Sequence, residues 1–273
     1  MPFQDHERAR LVPGCEAGYR RRAEIYHLEC DATEDHAFLA QLTTSHVQTV
    51  LEIPAGVGRN LPVWRQFPGC EVTVADVEPE MVARLLRQIV ADPQLTHVRA
   101  IEADMTTLCL PGTFDRIIVP QESFQIVANM ENAIRVLARL ERHLSESGLL
   151  MIDLARLDAE ARGPFPSYFD PQLADGTEVE EWSRPLEGHQ TLSRTRTQFR
   201  CRDGMRFRFK YTLTGGPSWH SEMTLHNFQV DDFVQRAQAA GLDVLDIYSN
   251  YAMRPYYAHS ARSIFLLKKF TPC

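Results

Sequence analysis

Two carboxylates and two glycines occupy positions in this chain where a cofactor could bind. Glu52 ends an apolar run within the segment VQTVLEIPAGVGRN, and Gly56 and Gly58 follow in the turn after it. Asp76 ends a second apolar run, VTVAD, 24 residues after Glu52. Glycines relieve steric crowding where a backbone must approach a nucleotide cofactor. The spacing therefore predicts a nucleotide-type site, and the acid Glu52 favours a cofactor that carries cationic groups.

The same glycine pair also permits a dinucleotide site, as in an oxidoreductase that uses a nucleotide cofactor. A dinucleotide fingerprint has a third glycine three positions after the second, and Leu61 stands there instead. A pyrophosphate at a helix start also disfavours a neighbouring anion, whereas Glu52 lies at the strand end beside the loop. The oxidoreductase stays open as an alternative function.

Strand and helix patterns alternate between residues 47 and 155, which predicts a parallel α/β sheet. Apolar runs predict strands at 47–53, 71–75, 97–103, 114–119 and 149–154, and helical spacing predicts helices at 57–65, 78–90 and 131–144. Ligands of such sheets lie beyond the carboxyl ends of the strands. Glu52, Asp76, Asp104 and Gln121 all fall at such ends, so we expect them to share one site.

The pattern changes to antiparallel strands after residue 155. A proline-bearing stretch at 161–175 predicts an irregular connection, and residues 191–202 and 205–213 on either side of Asp203-Gly204 predict a hairpin. Residues 219–227 can extend that sheet. Apolar and basic residues alternate along 205–213, which predicts one buried face and one solvated face. A helix at 230–240 and strands at 242–248 and 263–267 follow.

Composition limits the class of protein. The chain has 273 residues, 44% of them hydrophobic and 24% charged, and no apolar stretch approaches the roughly 20 residues that span a bilayer. The polar N-terminus, MPFQDHERAR, is unlike an export signal, so we expect a cytoplasmic protein with no membrane partner. Six cysteines without metal-ligand spacing predict reduced thiols and no metal site. The net charge of −7 disfavours nucleic acid as a partner.

The chain resembles the class I S-adenosylmethionine-dependent methyltransferases, particularly the bacterial natural-product and amino-sugar enzymes, in the motifs LEIPAGVGRN, VTVADVEPEM, IEADMTTL, FDRIIVPQESFQ and HLSESGLLMIDL. The resemblance covers about residues 26–269. It implies an α/β, Rossmann-like fold with a seven-stranded sheet whose last strand is antiparallel. The implied domains are a helical N-terminal cap (1–45), a cofactor-binding core (46–155), an antiparallel β insertion on the substrate side (156–228) and a C-terminal helix and strands that complete the sheet (229–273).

The resemblance also implies roles for residues on the cofactor side. Glu52 would orient the loop and the methionyl ammonium, and Asp76 would accept hydrogen bonds from both ribose hydroxyls. Asp104 would bind the adenine amino group. The remaining residues implied to contact S-adenosylmethionine are Pro54, Ala55, Gly56, Gly58, Arg59, Asn60, Val77, Met81, Met105 and Gln121. Pro54 departs from the family, whose loop opens with a glycine or another small residue, and it removes one backbone donor.

The acceptor side is less defined by the sequence, because an in-line attack on a sulfonium methyl needs proximity and orientation more than a catalytic motif. Tyr26 and Gln125 match family positions that face cofactor and acceptor. An amide such as Gln125 does not take up a proton near neutral pH, so His226 is the candidate base. The residues expected to line the acceptor pocket are Tyr168, Trp219, Arg254 and Tyr257.

Methyl transfer to an O, N or C atom of a small-molecule acceptor is therefore the predicted function. A cofactor-binding protein of the same fold that catalyses a cyclisation or another rearrangement is one alternative, because a fold does not fix a reaction. A macromolecular acceptor would usually call for an appended recognition domain, and none is recognised in the sequence. The oligomeric state stays open, with a homodimer as one option.

Overall fold

The structure is a computed structural model of the chain, and it describes residues 25–29, 32–157, 160–161, 169–170, 172–186 and 190–271. Tyr168, most of the predicted cap and most of the proline-bearing stretch lie outside the described residues. Within the described part, no helix has both the length and the apolar character needed to cross a membrane.

The strands fall into two separate sheets. In chain order they are β1 (Thr49–Glu52), β2 (Glu71–Asp76), β3 (Val98–Glu102), β4 (Phe114–Val119), β5 (Leu144–Ala155), β6 (Glu178–Pro185), β7 (Thr191–Cys201), β8 (Gly204–Leu213), β9 (Ser218–His226), β10 (Leu242–Tyr248) and β11 (Arg262–Lys269). The first sheet has seven strands in the order β10-β11-β5-β4-β1-β2-β3, and the second has the order β6-β7-β8-β9.

The seven-stranded sheet confirms the predicted fold class. Strands β1 to β5 pair in parallel, and β11 is antiparallel to both β5 and β10. Parallel strands require crossover connections, so helices cover both faces of this sheet. One buried apolar cluster on each face, centred on residues such as Phe124 and Trp64, forms the core.

The helices predicted at 78–90 and 230–240 match the structure to within one residue at each end, whereas those predicted at 57–65 and 131–144 are shorter. The helices are α1 (Tyr26–Glu29), α2 (His36–Leu42), α3 (Leu61–Trp64), α4 (Pro79–Ala91), α5 (Ser123–Val127), α6 (Ala133–Arg142) and α7 (Val230–Ala239). Helix α3 is a single turn instead of the predicted helix at 57–65, because the residues before it form the glycine turn. In α4 the buried stripe is Met81, Val82 and Leu85, whereas Leu86 and Val90 are exposed.

The second sheet is the predicted antiparallel insertion, with one additional strand. Its alternation is as expected, because Met205, Phe207, Phe209 and Tyr211 are buried. The predicted turn is displaced by one residue, since Gly204 already pairs with Cys201. A Cβ at Gly204 would lie 2.0 Å from the Leu225 carbonyl oxygen, so this glycine permits β9 to pack against β8 rather than forming the turn itself.

Candidate active site

The loop after β1 is tied to the end of β2 through Asp76. The Gly56 N–H donates to Asp76 Oδ2 over 2.8 Å, and the Glu78 N–H donates to Oδ1 over 3.0 Å. Gly56 has a φ of +57°, a conformation that favours glycine. Asp76 is only 6% exposed, and this burial raises the pKa of its carboxyl against the lowering effect of the backbone donors. These two hydrogen bonds therefore fix the position of the Asp76 carboxylate beside the loop after β1.

Tyr26 of α1 lies over the same loop. A Cβ added at Gly56 would meet Tyr26 Cε1 at 3.1 Å, and the ring packs with Val57 and Met81. The glycine thus gives the tyrosine ring room to lie close to the backbone. This contact places Tyr26 beside the loop after β1.

Glu52 is the buried acid at the end of β1. Its two oxygens accept hydrogen bonds from Asn60 Nδ2 (2.8 Å) and Trp64 Nε1 (2.6 Å). Burial raises the pKa of Glu52 to about 7, against the opposing effects of Trp64, Arg59 and Asn60. A cationic ligand beside this carboxyl would favour its ionised form.

Arg59 connects the loop to the segment before α2. Its guanidinium forms a two-pronged ion pair with the buried Asp35 carboxylate, with both N···O distances at 2.5 Å, and also donates to the Ala32 carbonyl oxygen over 2.8 Å. A two-pronged arginine pair fixes orientation as well as charge. Arg59 therefore holds the loop against the segment before α2, and its side chain also borders the cavity described below.

A second group of charges lies beyond the end of β4. Gln121 and Glu122 both adopt left-handed backbone conformations, with φ of +46° and +53°. Glu122 pairs with Arg262 over 2.9 Å, and Arg262 also contacts Asp153 of β5. The Arg262 guanidinium lies 5.0 Å from the centre of the Tyr251 ring, and the Tyr251 hydroxyl donates to Asp153.

The insertion contributes a third group of charges around Arg194. Its guanidinium pairs with Glu181 over 2.6 Å and with Glu29 of α1 over 3.5 Å, and it lies 4.8 Å from the centre of the Phe209 ring. The same Glu181 pairs with Arg196 over 2.9 Å. Cap and insertion thus meet through an ion pair whose side chains are almost completely buried.

A cavity of about 370 Å³ joins these three groups. The residues that line it are Tyr26, Glu29, Ala32, Glu34, Glu52, Pro54, Ala55, Gly56, Arg59, Asp76, Val77, Glu78, Met81, Pro120, Gln121, Glu122, Ser123, Ile126, Val127, Arg194, Phe209, Met223 and Arg262. Six of them are acidic and three are arginines, so the wall is negative on balance. The cavity extends from the loop after β1 to the insertion.

Most residues predicted for the cofactor side border this cavity. They are Glu52, Pro54, Ala55, Gly56, Arg59, Asp76, Val77, Met81 and Gln121, together with Tyr26 from the cap. Gly58 and Asn60 do not border it but shape the loop. The structure does not bring Asp104 or Met105 to the cavity: the Asp104 carboxylate accepts from the Thr106 N–H and hydroxyl, and Met105 is buried in the core. Their contacts with adenine stay predictions.

The structure places three residues predicted for the acceptor side, Gln125, His226 and Trp219, away from the cavity. Gln125 is fully buried, and its amide bonds the Ala155 N–H and the carbonyl oxygens of Ala155 and His226, so it has no atom left for a substrate. His226 ends β9 outside the cavity lining. Trp219 stacks on Tyr211 at 5.3 Å between ring centres.

Two further acceptor-side predictions, Arg254 and Tyr257, lie on the connection from β10 to β11 and do not border the cavity. Tyr257 is 51% exposed. The sequence reasoning chose these residues by type, because aromatic and basic side chains suit a ring-bearing acceptor. It missed the acceptor-side residues that do border the cavity, which are Glu29, Glu122, Ser123, Ile126, Val127, Arg194, Phe209, Met223 and Arg262.

The residues beside the β1 loop suit S-adenosylmethionine, the cofactor that the resemblance implies. Gly56 leaves the backbone open beneath Tyr26, Asp76 presents a carboxylate for hydroxyl donors, and Glu52 supplies a buried acid for a cationic end. Met81 gives an apolar surface. Among the described residues, no three histidine, cysteine or acidic side chains are grouped as a metal site would require.

Comparison with known proteins decides the class. Residues 50–148 match the family described as "Methyltransferase domain". The chain therefore contains a methyltransferase domain over these residues. The matched residues include the whole β1 loop, Asp76 and the end of β4, which are the parts of the methyltransferase that border the cofactor side of the cavity. The dinucleotide-dependent oxidoreductase is not supported.

Relatives of the methyltransferase extend the likeness beyond that domain. "Cypemycin N-terminal methyltransferase" from a Streptomyces species is 23% identical over 253 residues, which are 90% of this chain and 95% of the relative. The structure of the CcbJ methyltransferase from Streptomyces caelestis superposes with a TM-score of 0.73 at 14% identity, covering 93% of this chain and 97% of that chain. The sugar N-methyltransferase KedS8 from Streptoalloteichus sp ATCC 53650 superposes with a TM-score of 0.71 at 18% identity, covering 98% and 100%.

The raised pKa of Glu52 predicts how cofactor binding by the methyltransferase depends on pH. With a pKa of about 7, the carboxyl is mostly neutral at pH 6 and mostly ionised at pH 8. Because an ammonium prefers the ionised form, the dissociation constant for S-adenosylhomocysteine should fall by about tenfold between those pH values and level off above them. Calorimetric titration at several pH values measures this.

The control for that titration is Glu52→Gln, which keeps an acceptor oxygen but cannot ionise. Its affinity should be weaker than that of the unchanged protein at pH 8 and nearly independent of pH from 6 to 8. An equally steep pH dependence in Glu52→Gln would assign the titration to another group.

Proposed function

We propose that this methyltransferase transfers the methyl group to the nitrogen of a small-molecule amine. The main support is the charge of the cavity wall, where six acidic residues face three arginines. A negative wall attracts a cationic acceptor and does not favour a carboxylate or phosphate. A neutral hydroxyl acceptor would gain little from it.

The names of the relatives agree with a nitrogen acceptor. One is called an N-terminal methyltransferase and another a sugar N-methyltransferase. They differ in acceptor, one name referring to a chain terminus and the other to a sugar. Methylation of an amine nitrogen is what the two names have in common, and we propose the same for this chain.

The chemistry asks the protein to bind, orient and exclude water. When bound, S-adenosylmethionine would supply an electrophilic methyl group for the amine nitrogen. An amine is mostly protonated near neutral pH, so it must lose one proton, to a carboxylate of the wall or to solvent, before it can react. The acidic residues of the wall can hold the protonated amine next to the cofactor side, and proximity supplies much of the acceleration.

The experiment is a methyl-transfer assay with tritiated S-adenosylmethionine and matched acceptor pairs. Each pair consists of an amine and the same molecule with a hydroxyl in its place, drawn from sugars, free peptide N-termini and benzylic compounds. We expect label in amine members only. Transfer to the hydroxyl members, or to no amine, would contradict the proposal.

Location and assembly complete the proposal. We place the enzyme in the cytoplasm, with a small molecule as its acceptor and without nucleic acid or a membrane as a partner. The homodimer stays an open prediction, which sedimentation of the purified protein would test.

A further inference from the structure

Four residues form a buried charged group at the acceptor end of the cavity, which we call the Arg262 cluster: Glu122, Asp153, Tyr251 and Arg262. The Arg262 guanidinium is central, since it pairs with Glu122 over 2.9 Å, contacts Asp153 and lies 2.9 Å from the Tyr251 hydroxyl. Glu122 is 2% exposed, Asp153 0% and Arg262 9%. Only Glu122 and Arg262 border the cavity; Asp153 lies behind them.

The ionised cluster has one more carboxylate than it has cations. Burying a charge is costly unless a partner compensates it. Asp153 shows this imbalance, because its Oδ1 atom is buried and accepts no hydrogen bond from the described residues. The four residues of the cluster therefore carry a net negative charge when both carboxyls are ionised.

The cofactor side repeats this arrangement. Glu52 and Asp35 face one cation there, Arg59, and the resemblance places the methionyl ammonium beside Glu52. Taken together, the two groups contain four buried carboxylates and two guanidiniums. S-adenosylmethionine carries one net positive charge, because its ammonium and sulfonium outweigh its carboxylate. When all four carboxyls are ionised, these two groups taken by themselves would keep one negative charge beside the bound cofactor.

We propose that the Arg262 cluster binds the acceptor as an ammonium ion and that the Glu122 carboxylate is the group that contacts it. The inference rests on the proposed amine methylation and assigns the residue that recognises the amine. Glu122 directly follows Gln121 and precedes Ser123, all three on the cavity wall, so it lies between the cofactor side and the insertion. The left-handed backbone at Glu122 is a costly conformation that tends to persist at functional sites. Arg262, on the far side of Glu122, orients the carboxylate and repels the ammonium from itself.

The surroundings of Asp153 support this role. Burial, together with the neighbouring charges of Glu122 and Asp35, raises the pKa of Asp153 to about 7 against the lowering effects of Arg262 and Tyr251. These are the charged and titratable groups that face it. An ammonium at Glu122 would favour ionised Asp153, so acceptor binding should weaken below pH 7. The amine itself stays protonated there, so its own titration does not explain that change.

The test replaces Glu122 with glutamine in the full chain and uses the best amine from the tritium assay. We expect Glu122→Gln to raise the KM for the amine by about tenfold or more while the dissociation constant for S-adenosylhomocysteine changes less than twofold. Asp153→Asn should raise the KM in the same direction and remove its dependence on pH. Glu141→Gln is the matched control, because it also removes an acid from an ion pair, with Lys269 at 3.6 Å, but on the outer surface. An amine KM within twofold of normal in Glu122→Gln would overturn the proposal.

A second experiment measures binding of the ammonium ion without methyl transfer, so that this inference can be tested separately from the proposed function. The protein loaded with S-adenosylhomocysteine is titrated with benzylammonium and with benzyl alcohol, and the carboxyl carbon resonance of Asp153, assigned with Asp153→Asn, is followed by NMR. Benzylammonium should shift the Asp153 titration to lower pH in the unchanged protein and much less in Glu122→Gln, even if no amine of the panel is methylated. An equal effect of benzyl alcohol, or no shift with either compound, would overturn the cluster assignment.

Discussion

Replacement of Asp76 by alanine is expected to raise the dissociation constant for S-adenosylhomocysteine by about 100-fold. Two effects combine. The predicted hydrogen bonds from the ribose hydroxyls to a charged acceptor disappear, at about 1.5–3 kcal/mol each before compensation by water. In addition, the Gly56 N–H loses the acceptor that holds the loop at 2.8 Å. A 100-fold change corresponds to about 2.7 kcal/mol, which is within reach of these losses.

Calorimetric titration of two comparison variants makes this prediction specific. Asp76→Asn retains one acceptor oxygen, so its affinity for S-adenosylhomocysteine should lie between that of Asp76→Ala and that of the unchanged protein. Asp104→Ala tests the adenine contact implied by the resemblance; because the Asp104 side chain bonds its own turn and does not border the cavity, we expect a smaller loss than for Asp76→Ala. Equal affinity of Asp76→Ala and the unchanged protein would place the cofactor elsewhere.

Replacement of Gly58 by alanine is expected to lower the free energy of unfolding by about 3 kcal/mol. Gly58 has a φ of +95°, which strains any residue with a side chain. Its added Cβ would also lie 2.6 Å from Leu61 Cδ1 and 2.9 Å from Leu85 Cδ2. Leu61 and Leu85 are buried, so they can give way only by disturbing the packing of α3 and α4. Urea unfolding followed by circular dichroism measures the change.

Gly112→Ala separates the backbone effect from the clash. Gly112 also has a positive φ, +79°, but nothing lies within 4 Å of its added Cβ. We expect a loss of about 1 kcal/mol there, from backbone conformation alone. If the two variants lost equal stability, the contacts with Leu61 and Leu85 would contribute nothing.

The core of the fold could be predicted from the sequence because its signals are local. Strands β2 and β4 each contain a short buried run, VTVA and IIV, and a parallel sheet with crossover helices is the arrangement that buries both faces of such runs. Strand β6, EVEEWSRP, was missed because its residues alternate between partly buried and exposed without an apolar period. Its pairing with β7, rather than its own composition, makes it a strand.

The positions of most residues proposed for the cofactor side follow from topology in the same way, since they stand at or just after strand ends, although Asp104 and Met105 do not border the cavity. The acceptor side was not predictable in this way. Arg194 lies in the middle of β7 and Glu29 in the cap, and only the packing of the insertion against the cap brings them together. Gln125 was expected to face the acceptor, yet its amide hydrogen-bonds backbone groups of Ala155 and His226. Residue type alone could not reveal either outcome.

The amide of Gln125 links the insertion to the core by hydrogen bonds. It joins Ala155, the last residue of β5, to the carbonyl oxygen of His226, the last residue of β9, so both boundaries of the insertion are fixed by one side chain. An insertion transplanted from a relative would therefore arrive in the correct orientation only if position 125 keeps an amide or an equivalent donor and acceptor. Exchanging the insertion could then change which acceptor the enzyme prefers. A hydrophobic residue at position 125 would remove the hydrogen bonds that hold the exchanged insertion to the core sheet.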